Sequence, residues 1–216
     1  EIKYAPTSVD MEIKKVSEHV YYVEGIPGIA TDNEGFISNA GFIITDDGVV
    51  VFDSLGTPSL ANKLVQKIKT VTDQAIKKVV VSHFHADHIY GLQVFEEAGA
   101  TIYAPDGALD YLESDVALER LEERQFSLSP WVNDDTRLVY PDEIIKSSAT
   151  FQLGTKTFTI NYQGKAHSDG DLAMLVEPDL VLFSGDIIFR SRIPFIGSGD
   201  TKHWLETLEK LETSGL

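Results

Sequence analysis

The stretch VVVSHFHADHIYG, residues 79–91, places three of the chain's six histidines and one aspartate directly after a run of valines. The valines predict a short strand that is buried on both faces. Side chains two residues apart in an extended or gently turning segment face the same way, so His83 and His85 can bind one ion. Asp87 and His88 can then turn toward a second point nearby. Because packing these ionisable groups without a metal would be costly, the stretch predicts a metal site at the strand end.

Two further candidate ligands stand near predicted strand ends later in the chain. His167 lies in GKAHSDGDLAM, just before a strand, and Asp186 lies in LVLFSGDIIF, just after one. Loops at strand ends commonly present functional side chains. Imidazole and carboxylate ligands together suit zinc, iron or manganese. The remaining candidates, His203 in a predicted helix and His19 in a turn, are interpreted as surface or packing residues.

The composition excludes several classes of protein. The chain has 216 residues, of which 43% are hydrophobic and 24% charged, as in a globular enzyme. Its net charge of −16, without a basic stripe, argues against a nucleic-acid partner. The absence of cysteine excludes disulfides, thiolate nucleophiles and cysteine-ligated metals. No apolar run approaches the ~20 residues of a membrane span. The expected partner is a small-molecule substrate, with no nucleic acid and no membrane. The oligomeric state stays open.

The hydrophobic pattern predicts strands followed by helices in each half of the chain. FISNAGFIITDDGVVVFD, residues 36–53, predicts a hairpin that turns at Asp46-Asp47-Gly48. TPSLANKLVQKIKTV, residues 57–71, predicts a helix that opens with Pro58. Apolar strands such as KKVVVS indicate a sheet that is covered on both faces. We therefore expect one domain of the α/β (α+β) class, residues 1–216, with two packed sheets and helices outside.

Two helices are predicted on either side of the second group of strands. DGALDYLESDVALERLEERQF, residues 106–126, predicts one long helix that carries much of the acidic charge. DTKHWLETLEKLETSGL, residues 200–216, predicts a last amphipathic helix with Asp200 as its N-cap and Gly215 as its C-terminal stop.

The run SHFHADHIYG, followed by AHSDGD and FSGDIIF, resembles the metallo-β-lactamase superfamily, and GFIITDDGVVVFDSLGT upstream fits the same order. The resemblance implies a four-layer αβ/βα sandwich, with two mixed sheets, helices outside and a two-metal site at its edge. It also implies a division of the metal ligands: His83, His85 and His167 on the first metal, Asp87 and His88 on the second, and Asp186 as the bridge.

A zinc-dependent hydrolase is the function that this resemblance implies. Two zinc ions would generate a metal-bound hydroxide that attacks the carbonyl of a β-lactam, lactone, ester or thioester. The positive centre would stabilise an anionic tetrahedral intermediate. Asp87 is the expected catalytic residue, because it can pass the proton to the leaving group. Asp53, which ends GVVVFD, is expected either to orient a ligand histidine or simply to close the strand.

Substrate contacts are predicted from aromatic and basic side chains near these motifs: Phe36, Tyr90, Trp131, Arg190 and Arg192. Aromatic side chains could hold an apolar or ring-bearing substrate, although each could equally pack a loop. HFHADHIYGLQVFEEAGA, with RIPFIG later, most resembles bacterial hydrolases named for sulfur-oxidation and quinoprotein-relay loci. The natural substrate does not follow from the sequence.

The ends of the chain leave two alternatives open. The family's last ligand is a histidine after a further strand, and the chain stops at Leu216, where that strand is expected. A missing final strand and ligand turn would weaken the second metal. Two alternatives stay open: a mononuclear iron persulfide dioxygenase on the same scaffold, which would use two histidines and one aspartate, and a non-catalytic metal-binding module, which the missing last ligand makes plausible. The chain starts at Glu1, and a removed signal peptide would not be visible, so the choice between bacterial cytoplasm and periplasm stays open.

Overall fold

The computed structural model describes residues 3–213, which form two β-sheets and six α-helices. The strands are β1 Lys14–Lys15, β2 Val20–Val23, β3 Ala40–Thr45, β4 Gly48–Phe52, β5 Ile76–Val80, β6 Thr101–Pro105, β7 Glu143–Ile145, β8 Ala149–Leu153, β9 Lys156–Gly164, β10 Asp171–Glu177 and β11 Val181–Phe183. The helices are α1 Pro58–Lys69, α2 Ala86–Ile89, α3 Leu92–Glu97, α4 Ala108–Leu112, α5 Asp115–Ser127 and α6 Thr201–Thr213. No helix among these residues is long and apolar enough to cross a membrane.

The two sheets differ in the direction of their strands. The first has the order β1-β2-β3-β4-β5-β6-β7, antiparallel up to β4 and parallel from β4 to β7. The second has the order β11-β10-β9-β8 and is antiparallel throughout the described residues. The expectation of two mixed sheets is therefore correct for the first sheet and wrong for the second. Consecutive strands of the second sheet are joined by short connections, which pair antiparallel neighbours, whereas parallel strands need a long crossover.

Three hydrophobic cores separate four layers. In β4, Val49 and Val51 face the core beneath α1–α4, while Val50 and Phe52 face the second sheet. This division follows from the two-residue period of a strand. The third core joins the outer face of the second sheet to α6 through Trp204. The fold is thus an α/β/β/α sandwich, as the sequence predicts.

Local sequence signals explain the elements near the first sheet. The β3–β4 hairpin turns before Gly48, whose φ of 143° suits glycine. Helix α1 begins where the Thr57 side chain accepts a hydrogen bond from the Leu60 backbone N–H at 3.0 Å, with Pro58 in the first turn. The predicted hairpin and helix are both confirmed.

The predicted long helix over residues 106–126 is wrong, because the structure divides it into α4 and α5. Ser114 lies between them, and its hydroxyl accepts a hydrogen bond from the Ala117 backbone N–H at 3.3 Å. A serine that caps a new helix competes with continuation of the preceding one. In the last helix, the Asp200 carboxylate accepts hydrogen bonds from the backbone N–H groups of Lys202 and His203, which confirms the predicted N-cap. Gly215 lies outside the described residues.

Four chain segments reach the same end of the sandwich. The parallel strands β4 and β5 both end there, and Asp53 and His83 follow them closely. The strands β9 and β11 end at the same side, and His167 and Asp186 follow. The two sheets therefore bring together side chains that are more than 100 residues apart in sequence.

Candidate metal centre

Three histidines converge on one point at this end of the sandwich. His83 Nε2 lies 3.0 Å from His85 Nδ1, and His167 Nε2 lies 3.1 Å from the same His85 atom. His83 and His167 are fully buried, while His85 is partly exposed. Nitrogens held at about 2.0–2.1 Å from a tetrahedral zinc ion lie ~3.3 Å apart, close to these separations. This trio has the donor type and spacing of a metal site.

A second group shares His83 and adds His88 and Asp186. The rings of His83 and His88 lie 4.2 Å apart between centroids. His88 Nε2 faces Asp186 Oδ1 at 3.4 Å and Asp87 Oδ2 at 3.5 Å. Asp87 borders this group without belonging to it. The structure thus brings together all six predicted ligands, but it does not place Asp87 in a ligand set.

Asp53 decides which nitrogens of the two central histidines carry protons. Its Oδ2 atom lies 2.8 Å from His88 Nδ1 and 2.8 Å from the Ser82 hydroxyl, which in turn lies 2.9 Å from His83 Nδ1. A carboxylate can only accept, so the His88 Nδ1–H and the Ser82 hydroxyl donate to Asp53, and the His83 Nδ1–H donates to Ser82. His83 Nε2 is then left with a lone pair that points into the centre, and His88 Nε2 offers one there once that ring loses its second proton.

The backbone at Asp53 is strained, which supports its role in orienting the two histidines. Asp53 and Leu55 have φ values of 63° and 66°, in the left-handed region that non-glycine residues seldom adopt. Such outliers persist only where surrounding contacts impose them, and they concentrate at functional sites. Asp53 is buried and also accepts a hydrogen bond from the Ser82 backbone N–H at 2.7 Å.

The nitrogen atoms that face the centre lack the hydrogen-bond partners that buried polar atoms normally have. His88 Nε2 is buried and has no hydrogen-bond partner among residues 3–213. His83 Nε2, His85 Nδ1 and His167 Nε2 face one another, an arrangement in which neutral rings offer more lone pairs than protons. A cation coordinated by these atoms would relieve both problems. The described residues therefore fit a metal ion.

The electrostatics divide the histidines into two kinds. Burial, together with the neighbouring histidines, lowers the pKa of His83 well below its ordinary value. Burial also lowers the pKa of His167 to about 4, although Asp186 opposes it. Burial acts in the same direction on His88, but the carboxylates of Asp87, Asp53 and Asp186 outweigh it and raise its pKa well above the ordinary value. The trio is thus neutral at pH 7, whereas the carboxylate-rich side attracts a proton or a metal ion.

Asp87 is held as an ionised carboxylate at the edge of the centre. Burial opposes ionisation, but the His88 imidazole outweighs it and lowers the pKa of Asp87. The backbone carbonyl of Asp87 accepts a hydrogen bond from the Ser38 hydroxyl, which ties this short helix to the loop before β3. About a quarter of the side chain is exposed, at 23%. Asp87 is therefore a carboxylate that is ionised at neutral pH and that water can reach.

The loop that carries His167 is shaped by a buried carboxylate, Asp171. One oxygen of Asp171 accepts hydrogen bonds from the backbone N–H groups of Ala166 and Ser168 at 3.1 and 2.9 Å. The other oxygen accepts one from the Ser168 hydroxyl at 2.9 Å. Sequence reasoning did not single out Asp171 or Ser82, although both lie in the quoted motifs AHSDGD and VVVSHFH.

Three of the predicted substrate contacts lie away from the centre. Phe36 and Tyr90 are each 1% exposed and pack in the core beneath the helices, so the prediction that they contact substrate is wrong. Trp131 lines a separate cavity of about 230 Å³, and its indole N–H donates to the Pro6 carbonyl at 3.1 Å. Among the described residues, none of the histidines of the two ligand groups lines that cavity.

Residues after Asp186 bring other side chains to the centre. Phe189 lies 5.6 Å from His167 between ring centroids, and the Arg192 guanidinium lies 5.0 Å from the Phe189 ring centre. Phe195, which sequence reasoning missed, lies 6.0 Å from His85. Arg190 and Arg192 are both exposed. Their role in substrate binding stays a prediction.

The two remaining histidines lie outside both ligand groups. His203 Nδ1 lies 2.7 Å from the Lys165 carbonyl and donates to it, which packs α6 against the His167 loop. His19 lies at the start of β2, at the opposite end of the sandwich, where the Lys156 ammonium donates to its Nδ1 atom at 2.9 Å.

The sequence profile of the metallo-β-lactamase superfamily matches residues 33–215, so the chain belongs to that superfamily. Metallo-beta-lactamase IND-1 from Chryseobacterium indologenes is 21% identical over 198 residues, which cover 90% of this chain and 72% of that protein. This family consists largely of metal-dependent hydrolases. The assignment to the sulfur-oxidation and quinoprotein-relay branch stays a prediction.

Solved structures share the fold. A metallo-beta-lactamase from Pontibacter korlensis superposes with a TM-score of 0.71 at 18% identity, covering 95% of this chain and 86% of that one. The sec-alkyl sulfatase PisA1 also superposes with a TM-score of 0.71 at 19% identity, covering 94% of this chain and 36% of the longer protein. The same scaffold thus occurs in proteins named for different substrates, so the fold does not identify the substrate.

Proposed function

We propose that the protein is a zinc-dependent hydrolase that acts on a carbonyl substrate such as a β-lactam, lactone, ester or thioester. The observation that carries this proposal is the position of Asp186 between the histidines: its Oδ1 lies 3.4 Å from His88 Nε2 and its Oδ2 lies 3.6 Å from His167 Nε2. A carboxylate that offers one oxygen to each side suits two adjacent metal ions. When bound, zinc would lower the pKa of water and polarise a carbonyl.

The chain's own residues supply the orientation and the proton transfer. Asp53 holds His88 directly and His83 through Ser82, so that the Nε2 lone pairs point into the centre. Asp171 holds the loop of His167. The ionised Asp87 carboxylate is placed to take a proton from an attacking water and return it to the leaving group. This route needs no serine or cysteine nucleophile.

Asp87 gives a direct test, because it borders the ligand groups without belonging to them. Zinc-loaded protein and its Asp87→Asn variant would be assayed on a chromogenic cephalosporin, a lactone, an aryl ester and a thioester. We expect turnover of at least one substrate to fall about 100- to 10,000-fold in the variant, while zinc content is retained. His203→Ala, which changes a histidine outside both ligand groups, is the matched control. Absence of turnover on every substrate would overturn the hydrolase proposal.

One observation favours a second candidate, the iron dioxygenase. His83, His88 and Asp186 form a set of two histidines and one carboxylate, the donor set of non-haem iron oxygenases. Elemental analysis of the protein as purified separates the two functions. Two zinc ions per chain would support the hydrolase, and a single iron would support the dioxygenase.

A further inference from the structure

A cavity of about 230 Å³ lies between α1, α3, the N-terminal segment and the loop after α5. We call it the α1–α3 cavity. Its lining comes from the start of α1, from α3, from residues 3–5 and from residues 131–137, and it includes no histidine of the described chain. Sites for drug-sized ligands measure roughly 300–1,000 Å³, so this smaller cavity suits a ligand about the size of an amino acid.

The N-terminal segment is fastened over the α1–α3 cavity by three hydrogen bonds. The Lys3 ammonium and the Tyr4 hydroxyl both donate to Glu97 Oε2, at 2.5 and 2.6 Å. The Trp131 indole N–H donates to the Pro6 carbonyl at 3.1 Å. The rings of Tyr4 and Trp131 are half-buried at the same cavity. They therefore form a fixed aromatic wall on which an apolar group can pack.

Two buried polar side chains of the cavity have hydrogen-bonding capacity to spare. Ser59 is 2% exposed and Gln93 is 4% exposed, and both line the cavity. The Ser59 hydroxyl has no hydrogen-bond partner among the residues that the structure describes. Gln93 Oε1 accepts from the Arg137 backbone N–H at 3.0 Å, but Gln93 Nε2 lies 3.5 Å from the Asp135 carbonyl, which is long for a hydrogen bond. Because buried polar groups are normally satisfied, these two indicate a polar ligand.

The start of α1 gives one side of the cavity a positive character. Thr57 caps the helix through the Leu60 backbone N–H, Pro58 has no N–H, and the first turn contains no acidic residue. The partial positive charge of the helix terminus is therefore not balanced by a carboxylate of its own first turn. Ser59, with its free hydroxyl, lies in that turn. A carboxylate group of a ligand would supply the acceptor that both features lack.

A negative group of the same cavity is also unmatched. Lys3 pairs with Glu97, and Arg137 pairs with Glu96. Asp135 lines the cavity, is exposed, and makes no ion pair with any residue from 3 to 213. An ammonium group of a ligand would match this carboxylate.

We propose that the α1–α3 cavity binds a small zwitterion, namely a free α-amino acid with an apolar side chain. The ligand carboxylate accepts hydrogen bonds from Ser59 and Gln93, and the ligand ammonium faces Asp135. The apolar side chain packs on the Trp131 ring. Since none of these groups belongs to the metal centre, the inference goes beyond the hydrolase proposal and does not depend on it.

Calorimetric titration of the zinc-loaded chain with matched probes tests this proposal. L-Leucine would be compared with 4-methylpentanoate, which lacks the ammonium, and with 3-methylbutylamine, which lacks the carboxylate. We expect leucine to bind at least about tenfold more tightly than either probe. Glycine, which lacks the apolar side chain, should also bind about tenfold more weakly than leucine. Equal binding of leucine and either single-charge probe, or no binding of leucine, would overturn the proposal.

Two variants each remove one end of the site. Ser59→Ala should weaken leucine and 4-methylpentanoate about fivefold and leave the amine unchanged. Asp135→Asn should weaken leucine and the amine about fivefold and leave 4-methylpentanoate unchanged. Asp134→Asn and Ser148→Ala are the matched controls, because both residues are exposed and neither lines the cavity. Because Asp135 is exposed, its variant keeps the test decisive if Ser59→Ala does not fold.

The metal centre is the alternative place of binding, because amino and carboxylate groups of an amino acid can also coordinate zinc. Leucine binding that is unchanged in Ser59→Ala and Asp135→Asn would place the ligand at the metal centre and overturn the proposal. Equal losses in the two control variants would show non-specific binding and contradict it as well. Selective losses in the cavity variants, in a protein without hydrolase activity, would support the cavity site and contradict only the hydrolase.

Discussion

Two buried polar clusters lie at opposite ends of the sandwich, and they differ in whether their charges balance. The metal centre holds His83, His85, His88, His167 and Asp186. The distal cluster, defined as Ser17, His19, Lys156 and Asp179, joins the start of β2 to the second sheet. In the distal cluster, the Lys156 ammonium donates to Asp179 at 2.8 Å and to His19 at 2.9 Å, and Ser17 donates to Asp179 at 2.6 Å.

The difference teaches how a structural cluster and a ligand site can be told apart. In the distal cluster, Lys156 supplies the cation, and its donors meet the acceptors of Asp179 and His19. At the metal centre, lone pairs face one another and carboxylates face His88 without a permanent cation. Since burial penalises an unmatched charge, the first cluster stabilises the fold by itself and the second needs an added ion.

Removing the carboxylate of the distal cluster should produce the largest effect. Asp179→Ala leaves Lys156, whose side chain is 6% exposed, without its counter-charge. We expect a loss of about 3–5 kcal/mol in the free energy of unfolding, measured by urea denaturation. The double variant Lys156→Met/Asp179→Leu should recover most of that loss, because it removes both charges. A loss below about 1 kcal/mol in the single variant would contradict this interpretation of the cluster.

Replacing the orienting carboxylate of the metal centre should change zinc affinity instead. In Asp53→Asn, the amide group can donate to His88 Nδ1, which would move the ring proton to Nε2 and block that ligand atom. We expect zinc affinity to fall about 10- to 100-fold in competition with a chelator. Asp142→Asn is the control, because Asp142 accepts a backbone hydrogen bond from Ile102 away from the centre. Unchanged zinc affinity in Asp53→Asn would remove Asp53 from the orienting role.

Acid should weaken the distal cluster in a defined pH window. Burial opposes ionisation of Asp179, but hydrogen bonds from Lys156 and Ser17 outweigh it and lower its pKa from 3.8 to about 2. Because the folded pKa is the lower one, the stabilisation is fully present above about pH 5, falls as pH drops through 3.8, and is lost below about pH 2. The contribution should be about 2 kcal/mol, measured as the pH slope of unfolding free energy. Asp179→Asn should flatten that slope, and an unchanged slope would contradict the assignment.

The pH dependence of zinc binding should distinguish the two ligand groups, with the smallest expected effect. Carboxylates raise the pKa of His88, so in metal-free protein its proton must leave before Nε2 can bind zinc. Affinity for the second ion should therefore rise with pH, by up to about tenfold per unit around neutrality. The three-histidine group, with His167 lowered to about 4, should bind its ion with little change between pH 6 and 8. Parallel pH curves for both ions would contradict the division.

Much of the fold follows from local patterns. The apolar run before His83, the turn before Gly48 and the helix opened by Pro58 all form as the sequence predicts, because neighbouring residues determine them. The break at Ser114 was missed, since a capping hydroxyl and helical periodicity compete over the same few residues. The expectation that the second sheet is mixed is wrong. Strand direction depends on which strands pair, and pairing is a long-range property that local patterns do not reveal.

The metal centre shows the same division between what local sequence patterns predict and what only the packed structure determines. The sequence alone indicates the ligand types, since six imidazoles and carboxylates stand at strand ends. Only the tertiary structure shows that Asp87 lies at the border of the ligand groups, 3.5 Å from His88 Nε2, and that Phe36 and Tyr90 are buried in the core.

What the sequence by itself determined about this protein is the chemistry that is available: histidines and aspartates at strand ends, no cysteine, and an acidic surface. The tertiary structure decided which of these groups lie together, that Asp53 orients two of the histidines, and that Phe189 and Phe195 border the centre. The physical reason is that the sequence directly gives the residue types and the spacing between neighbouring residues. Distances between atoms in separate strands and loops exist only once two sheets pack together.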